Sequence, residues 1–155
     1  MANTYSQIFV QFIFAVKGRE RLIKEEIRER LEKYITGIVQ NNRQKLLAIY
    51  ANPDHIHLLI GYNDLNVTIP NLVRDIKASS SKMINDEHWF NGKFNWQEGY
   101  GAFSYSKSQI DKVVKYILNQ KIHHQKQNFK EEYLDFLTRF EVDFKEEYIF
   151  EFYND

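Results

Sequence analysis

The spacing of apolar side chains changes along the chain, and each spacing predicts a secondary-structure element. Residues 6–17 alternate apolar and polar positions and are rich in Ile, Val and Phe, which predicts a half-buried strand. Residues 19–42 place apolar side chains every three or four positions, which predicts a helix. The same criteria predict strands at 44–53, 55–63 and 94–106, helices at 69–88, 106–127 and 130–140, and an apolar and acidic end at 146–155.

The order of these elements is β-α-β-β-α-β, followed by two helices. The turn "NPD" between the second and third strands is short, so these strands are expected to pair as a hairpin. The order matches a ferredoxin-like, split βαβ fold of the α+β class, with helices on one face of an antiparallel sheet. With 155 residues, 43% of them hydrophobic, a single domain spanning 1–155 is expected. This topology serves many functions, so function must be argued from the site.

Composition narrows the functional classes. The chain has no cysteine, which excludes disulfides, thiol nucleophiles and thiolate metal ligands and suits a reducing cytoplasm. No run approaches the ~20 apolar residues of a membrane span, so no membrane association is expected. Net charge is zero, but residues 104–126 hold five lysines against one aspartate, and residues 130–155 hold three basic and nine acidic side chains. This predicts a basic helix at about 107–126 beside an acidic C-terminal segment.

The stretch "NPDHIHLLIGY" (52–62) carries two histidines within an apolar run. Residues two apart on a strand face the same side, so His55 and His57 are expected to project together. Ile56 and Leu58 would then face the core. Two imidazoles on one face fit a pair of metal ligands, and two half-exposed strand histidines are the alternative.

The stretch "VVKYILNQKIHH" (113–124) places Tyr116 and Gln120 four apart, on one face of the basic helix. Taken alone, Tyr116 is typical of a packing residue at the edge of an apolar stripe. Together with the histidines, Tyr116 indicates a catalytic site. A tyrosine hydroxyl, with a pKa near ~10, is a poor nucleophile unless a cation activates the phosphorus centre. Two imidazoles and a carboxamide oxygen can hold that cation, which favours covalent strand cleavage by an aryl oxygen.

The motifs "HIH", "SSSK", "GYGAFS" and "YILNQKIHH", at these distances, closely resemble the single-tyrosine HUH transposases of small bacterial insertion sequences. These are the TnpA-like proteins of the transposase 17 superfamily, and the resemblance runs over nearly the whole chain. It implies that Tyr116 is the nucleophile, leaving a 5′-phosphotyrosine and a free 3′-hydroxyl. It implies His55, His57 and Gln120 as ligands of Mg²⁺ or Mn²⁺.

The resemblance also implies partners. The substrate would be single-stranded DNA with a hairpin near each element end, and the compartment would be the bacterial cytoplasm. A homodimer is implied, in which the tyrosine helix can act in trans on the partner's metal site.

Several other residues each have a functional and a structural interpretation. His123 and His124 follow Gln120 closely and could support the metal ligands or contact a phosphate, or be helix-end histidines favoured by the dipole. Candidate phosphate contacts, with solvated cations as the alternative, are Arg74, Lys77, Lys82 and Lys112. Candidates for base stacking, with core packing as the alternative, are Trp96, Tyr100 and Phe103.

Two alternative functions remain open from the sequence. A host-adopted HUH nuclease or nickase acting on repeated palindromes would perform the same cleavage chemistry in a different biological role. A non-catalytic binder of single-stranded nucleic acid could use the same sheet topology, although "GYGAFSYS" only superficially matches the RNP pattern. Metal binding separates the binder from the enzyme.

Overall fold

A computed structural model describes residues 3–18 and 22–152 of the chain. The strands are β1 (Phe9–Ala15), β2 (Lys45–Ala51), β3 (His55–Gly61) and β4 (Gly101–Tyr105), and the helices are α1 (Glu25–Asn41), α2 (Ile69–Asp86), α3 (Ile110–Leu118), α4 (Gln120–His123) and α5 (Phe129–Arg139). All four strands form one antiparallel sheet in the order β2-β3-β1-β4. The predicted α+β, split βαβ class is confirmed, and so is the β2–β3 hairpin.

One face of the sheet is the main hydrophobic core. In the central pair of strands, Phe12 lies opposite Leu58 and Phe14 lies opposite Ile56, and all four side chains are fully buried. Helices α1 and α2 cover this face with Leu31, Ile35, Leu72 and Ile76, among others. Burial of these large side chains stabilises the fold and fixes the register of β3, since a slip by one residue would turn its apolar set outward.

The opposite face carries the tyrosine helix. Ile110, Val113 and Ile117 of α3 pack in one cluster with Ala48 of β2 and Leu59 of β3. Leu59 alternates with the residues that face α1 and α2, so α3 lies on the other side of the sheet. The helices that the sequence predicted on one face of the sheet are therefore α1 and α2. The residues of β3 at odd positions point to the opposite face, where α3 lies.

The strand predicted at 94–106 is shorter in the structure, where it corresponds to β4 and begins at Gly101. Trp96 makes only an isolated bridge before it. The ammonium of Lys77 donates hydrogen bonds to the carbonyl oxygens of Gln97 (2.8 Å) and Gly99 (2.6 Å). These acceptors are therefore bound to a side chain rather than to a neighbouring strand, and Gly99 has a φ of 85° that interrupts the extended chain.

The helix predicted at 106–127 is divided. A 3₁₀ turn at Lys107–Gln109 precedes α3, and Asn119 (φ −100°, ψ 21°) separates α3 from α4. The predicted first helix begins at Glu25 in the structure, and residues 19–21 lie outside the described residues. Within the described ranges, none of the helices has the length and apolar character that crossing a membrane requires.

Candidate active site

Both histidines of the H-x-H motif project from β3 toward α3 and α5. Their side chains are buried, with 1% of His55 and 0% of His57 exposed, and their ring centroids are 5.1 Å apart. Ile56 and Leu58 face the opposite core, as predicted from the strand period. The two imidazoles therefore share one face, and they are buried rather than half-exposed.

A carboxylate from α5 lies at the centre of the site. Glu132 Oε1 is 3.2 Å from His55 Nε2 and 3.0 Å from His57 Nε2. His124 Nε2 lies 3.2 Å from the same oxygen. Glu132 is not among the residues predicted from the sequence, although the sequence carries one signal for it. Glu132 follows Phe129 by three and precedes Phe136 by four, which places a charge on the buried stripe of α5.

The distal nitrogens of the imidazoles have their own partners. Asp54 Oδ1 lies 2.7 Å from His55 Nδ1. The carboxamide of Gln11 lies 2.8 Å from His57 Nδ1, and the hydroxyl of Tyr105 donates to the oxygen of that carboxamide at 2.7 Å. These contacts fix the ring orientations, so both Nε2 atoms point at Glu132.

The electrostatics of the site stabilise a negative charge at its centre. Burial alone would raise the pKa of Glu132, but the charge of His57 and the hydrogen bonds from the imidazoles outweigh it, and the pKa lies well below its ordinary value. Burial lowers the pKa of His57. Burial acts on His55 in the same direction, yet its hydrogen bonds to Asp54 and Glu132 raise its pKa overall. The carboxylate therefore stays ionised among polar hydrogens.

These residues fit a divalent cation. One ligand atom from each of His55, His57, His124 and Glu132 lies within 4.8 Å of the other three. Imidazoles and a carboxylate are the ligands that Mn²⁺, Fe²⁺ and Zn²⁺ take in proteins, and a buried anion offsets the charge of the ion. The arrangement can therefore hold such an ion without a change of fold.

The tyrosine singled out by the sequence contacts the same carboxylate. The hydroxyl of Tyr116 donates a hydrogen bond to Glu132 Oε2. Its ring stacks on His123 at 4.5 Å and packs edge-on with His57 at 6.1 Å between centroids. Burial and the neighbouring carboxylate raise the pKa of Tyr116 far above its ordinary value. The phenol is therefore neutral at physiological pH.

Gln120 is fully buried beside the cluster. Its amide nitrogen donates to Glu132 Oε2 at 3.1 Å. Its oxygen accepts hydrogen bonds from Asn52 Nδ2 at 3.1 Å and His124 Nε2 at 2.9 Å. The structure thus brings Gln120 into the site, with its oxygen directed at His124.

The predicted DNA contacts fall in different places. Lys112 lines a cleft of about 450 Å³ next to Tyr116, together with Arg139, which sequence reasoning did not consider. Arg74 and Lys77 line a second cleft with Trp96 and Tyr100. Lys82 is exposed and paired with Asp86 at 2.6 Å.

The aromatic residues considered for base stacking divide similarly. Phe103 is buried against Phe136, and Trp96 is buried and donates a hydrogen bond to Ser80 Oγ at 2.9 Å. Tyr100 is half-buried at the rim of the second cleft. For Phe103 and Trp96, the structure agrees with the alternative interpretation, which was packing in the core.

A sheet carrying paired histidines beside a helical tyrosine defines the class of this protein. Residues 4–120 match the IS200-like transposases, and the chain belongs to that family. The resemblance found in the motifs is confirmed. The matched range includes His55, His57, Tyr116 and Gln120, and it ends before Glu132.

Individual relatives agree with this assignment. The ISDra2 transposase TnpA of Deinococcus radiodurans is 24% identical over 121 residues, covering 74% of this chain and 84% of the relative. A crystal structure assigned to a transposase of D. radiodurans R1 has a TM-score of 0.58 and 26% identity, over 76% of this chain and 94% of that one. A REP-associated tyrosine transposase bound to a REP hairpin shares the fold, with a TM-score of 0.60 and 15% identity, over 79% of this chain and 72% of that one.

Proposed function

We propose that this protein is a metal-dependent transposase that cleaves and rejoins single-stranded DNA through a 5′-phosphotyrosine intermediate. One observation carries the proposal. The hydroxyl of Tyr116 shares the Glu132 carboxylate with the buried imidazoles of His55 and His57, so the nucleophile and the candidate metal ligands occupy one site. Membership of the IS200-like family supports it.

In the proposed reaction, the oxygen of Tyr116 forms a bond to the scissile phosphorus, and the bond from phosphorus to the 3′ oxygen breaks. The phenol loses its proton, and the departing oxygen is protonated to a 3′-hydroxyl. The DNA is left joined to Tyr116 through its 5′ phosphate. Because that linkage conserves the energy of the broken bond, a 3′-hydroxyl can attack it and rejoin strands without ATP.

The proposed ligands of Mg²⁺ or Mn²⁺ are His55, His57 and Gln120. When bound, the cation offsets the negative charge that develops on the phosphate oxygens. Asp54 and Gln11 hold the two imidazoles in place from behind. This support keeps the Nε2 atoms directed at the centre of the site.

We further propose how DNA approaches. The cleft beside Tyr116 presents the side chains of Lys112 and Arg139, two cations suited to phosphates that flank the cleaved one. Arg74, at the second cleft, and Lys82 are proposed as weaker contacts. Lys77 already binds two backbone carbonyls, so its ammonium contributes less.

The proposed partners are single-stranded DNA with subterminal hairpins and a second copy of the chain. The proposed setting is the bacterial cytoplasm, with residues 1–155 acting as one domain. Hairpins flanking the gene at both ends would indicate a mobile element. Repeated palindromes elsewhere in the genome would favour a host-adopted enzyme.

The proposal is tested with a labelled single-stranded oligonucleotide that carries the native element end. We expect a covalent protein–DNA adduct with Mn²⁺ or Mg²⁺, none with chelator and none with Tyr116→Phe. Tyr148→Phe is the matched control because Tyr148 is 79% exposed, and it should leave the adduct unchanged. An adduct that survives Tyr116→Phe contradicts the proposal, and metal-independent DNA binding without an adduct indicates a binding module.

A further inference from the structure

We infer that Glu132 and His124, which follow the segment shared with the family, are direct ligands of the cation at this site. The inference rests on the proposed function only in assigning the metal to the same cluster. It adds two ligands from the C-terminal part of the chain to the histidine pair of β3.

The distances around Glu132 Oε1 are those of neighbouring ligands. Two ligand atoms that each lie ~2.1 Å from one ion, at right angles, are about 3.0 Å apart, and in a tetrahedral shell about 3.4 Å. The three imidazole Nε2 atoms lie 3.0–3.2 Å from Glu132 Oε1. These are also the distances of hydrogen bonds from the imidazoles to Oε1, so a cation that replaces the donated protons needs only a small shift of this oxygen to bind it.

Charge gives a second reason. Imidazoles and a carboxamide bring no negative charge to a buried cation, and a buried charge without a partner is costly. The carboxylate of Glu132 is 2% exposed, and its Oε1 faces the imidazoles of His55 and His57 directly. It is the buried anion within the described cluster that can neutralise part of the ion's charge.

The same carboxylate reaches the nucleophile. While Oε1 faces the imidazoles, Oε2 accepts the hydrogen bond of Tyr116. If Glu132 bound the ion through Oε1, its other oxygen, Oε2, would still hold the hydroxyl of Tyr116 beside the metal site. The fold secures this position, since an Asn128 capping box begins α5 and Phe129 stacks on His55 at 3.7 Å between centroids.

The ligand set also favours one metal class. With Glu132 and His124 added to the set that includes Gln120, three imidazoles and a carboxylate suit Mn²⁺, Fe²⁺ or Zn²⁺, whereas Mg²⁺ prefers oxygen ligands. With the histidine pair and a carboxamide alone, this preference would be weaker. We therefore expect Mn²⁺ to bind at least about 10-fold more tightly than Mg²⁺.

The test measures Mn²⁺ binding to the full chain without DNA, by the loss of the free-ion EPR signal. We expect one site, weakened at least about 10-fold by Glu132→Gln and by His124→Gln. Glu132→Asp keeps the charge but withdraws the oxygens, and it should weaken binding as well. Asp135→Asn, an exposed carboxylate of the same helix, is the control and should bind as the unaltered chain does.

The outcomes separate this inference from the proposed function. If both Glu132 variants bind Mn²⁺ as tightly as the unaltered chain, or more tightly, Glu132 occupies the cluster only when no cation is present, and the inference is wrong. If the unaltered chain binds no Mn²⁺, or if His57→Ala binds it equally well, the metal site of the proposed function fails first. Far-UV circular dichroism identifies folded variants, and the comparison is made on Glu132→Asp and His124→Gln if Glu132→Gln does not fold.

Discussion

At the scale of single residues, Gly101 sets how closely α5 approaches the sheet. A Cβ atom at this position would lie 2.8 Å from the hydroxyl oxygen of Tyr133 and 2.9 Å from Phe103 Cε2. Real side chains do not tolerate such contacts, so the absence of a side chain here lets Tyr133 pack on β4. Tyr133 directly follows Glu132, and its packing therefore helps to place the carboxylate.

Gly101→Ala should lower the free energy of unfolding by about 1–3 kcal/mol, because Tyr133 and Phe103 must move. The measurement is urea denaturation followed by tryptophan fluorescence. Gly37→Ala in α1 is the control, since a Cβ there meets nothing within 4 Å. It should stabilise the protein by about 0.5–1 kcal/mol through helix propensity. Equal stability of Gly101→Ala and the unaltered chain would show that α5 does not depend on this contact.

Lys77 gives a pH-dependent prediction. Burial lowers its pKa from 10.5 to about 8 in the folded chain. The unfolded chain holds this proton more tightly, so the cost of burying the ammonium is full below pH 8 and is relieved as the pH rises toward 10.5. Relative to Lys77→Met, the unaltered chain should gain about 1 kcal/mol between pH ~7 and ~9.5, after discounting for partial exposure. A difference that is constant with pH in urea denaturation would contradict this.

The strand period and the helical spacing were sufficient to predict that His55 and His57 share a face and that Tyr116 lies next to Gln120. Both relations are local, within a few residues of sequence. Glu132 reaches His57 across 75 residues, and such a contact depends on how α5 packs on the sheet. Local periodicity therefore could place Glu132 on the buried stripe of α5, but it could not show that this stripe packs against the histidines.

At the scale of elements, α5 depends on its first turn. Asn128 accepts a hydrogen bond from the Glu131 backbone, and the Glu131 side chain reaches back to the Asn128 backbone. This capping box explains why a strongly acidic segment forms a helix at this point. In contrast, the sequence did not indicate the break at Asn119, because its apolar and polar spacing continues through 106–127.

Asn128→Ala should lower stability by about 1 kcal/mol and loosen the first turn of α5, which carries Glu132. Hydrogen exchange of the α5 amides, read by mass spectrometry, should accelerate more than exchange in α2. Ser106→Ala is the matched control, since Ser106 precedes the 3₁₀ turn without a side-chain cap and should cost less than about 0.5 kcal/mol. Unchanged exchange in α5 would show that its contacts with the sheet suffice.

At the scale of the whole molecule, the structure places Tyr116 against the histidines of its own chain. Helix α3 buries Ile110, Val113 and Ile117 on its own sheet, and the Tyr116 hydroxyl binds a carboxylate of the same chain. The homodimer, and use of Tyr116 in trans, remain proposals. The contacts of a single chain describe the arrangement that use in cis needs.

A mixing experiment decides between them. Chains carrying Tyr116→Phe and chains carrying His55→Ala should each be inactive on their own, and a site used in cis should stay inactive when they are combined. We therefore expect no covalent adduct from mixed, refolded chains. An adduct in the mixture would require the tyrosine of one chain to serve the metal site of another, and size-exclusion chromatography of the mixture would show the dimer that this needs.

Locating the covalent bond between protein and DNA tests the role of Tyr116 directly. After reaction with the element-end oligonucleotide, nuclease and trypsin digestion should leave a nucleotide on the peptide of residues 116–121, and fragmentation should place it on Tyr116. We expect this modified peptide to form with Mn²⁺ and to be absent with chelator. A nucleotide on any other residue, or cleavage without a modified peptide, would contradict it.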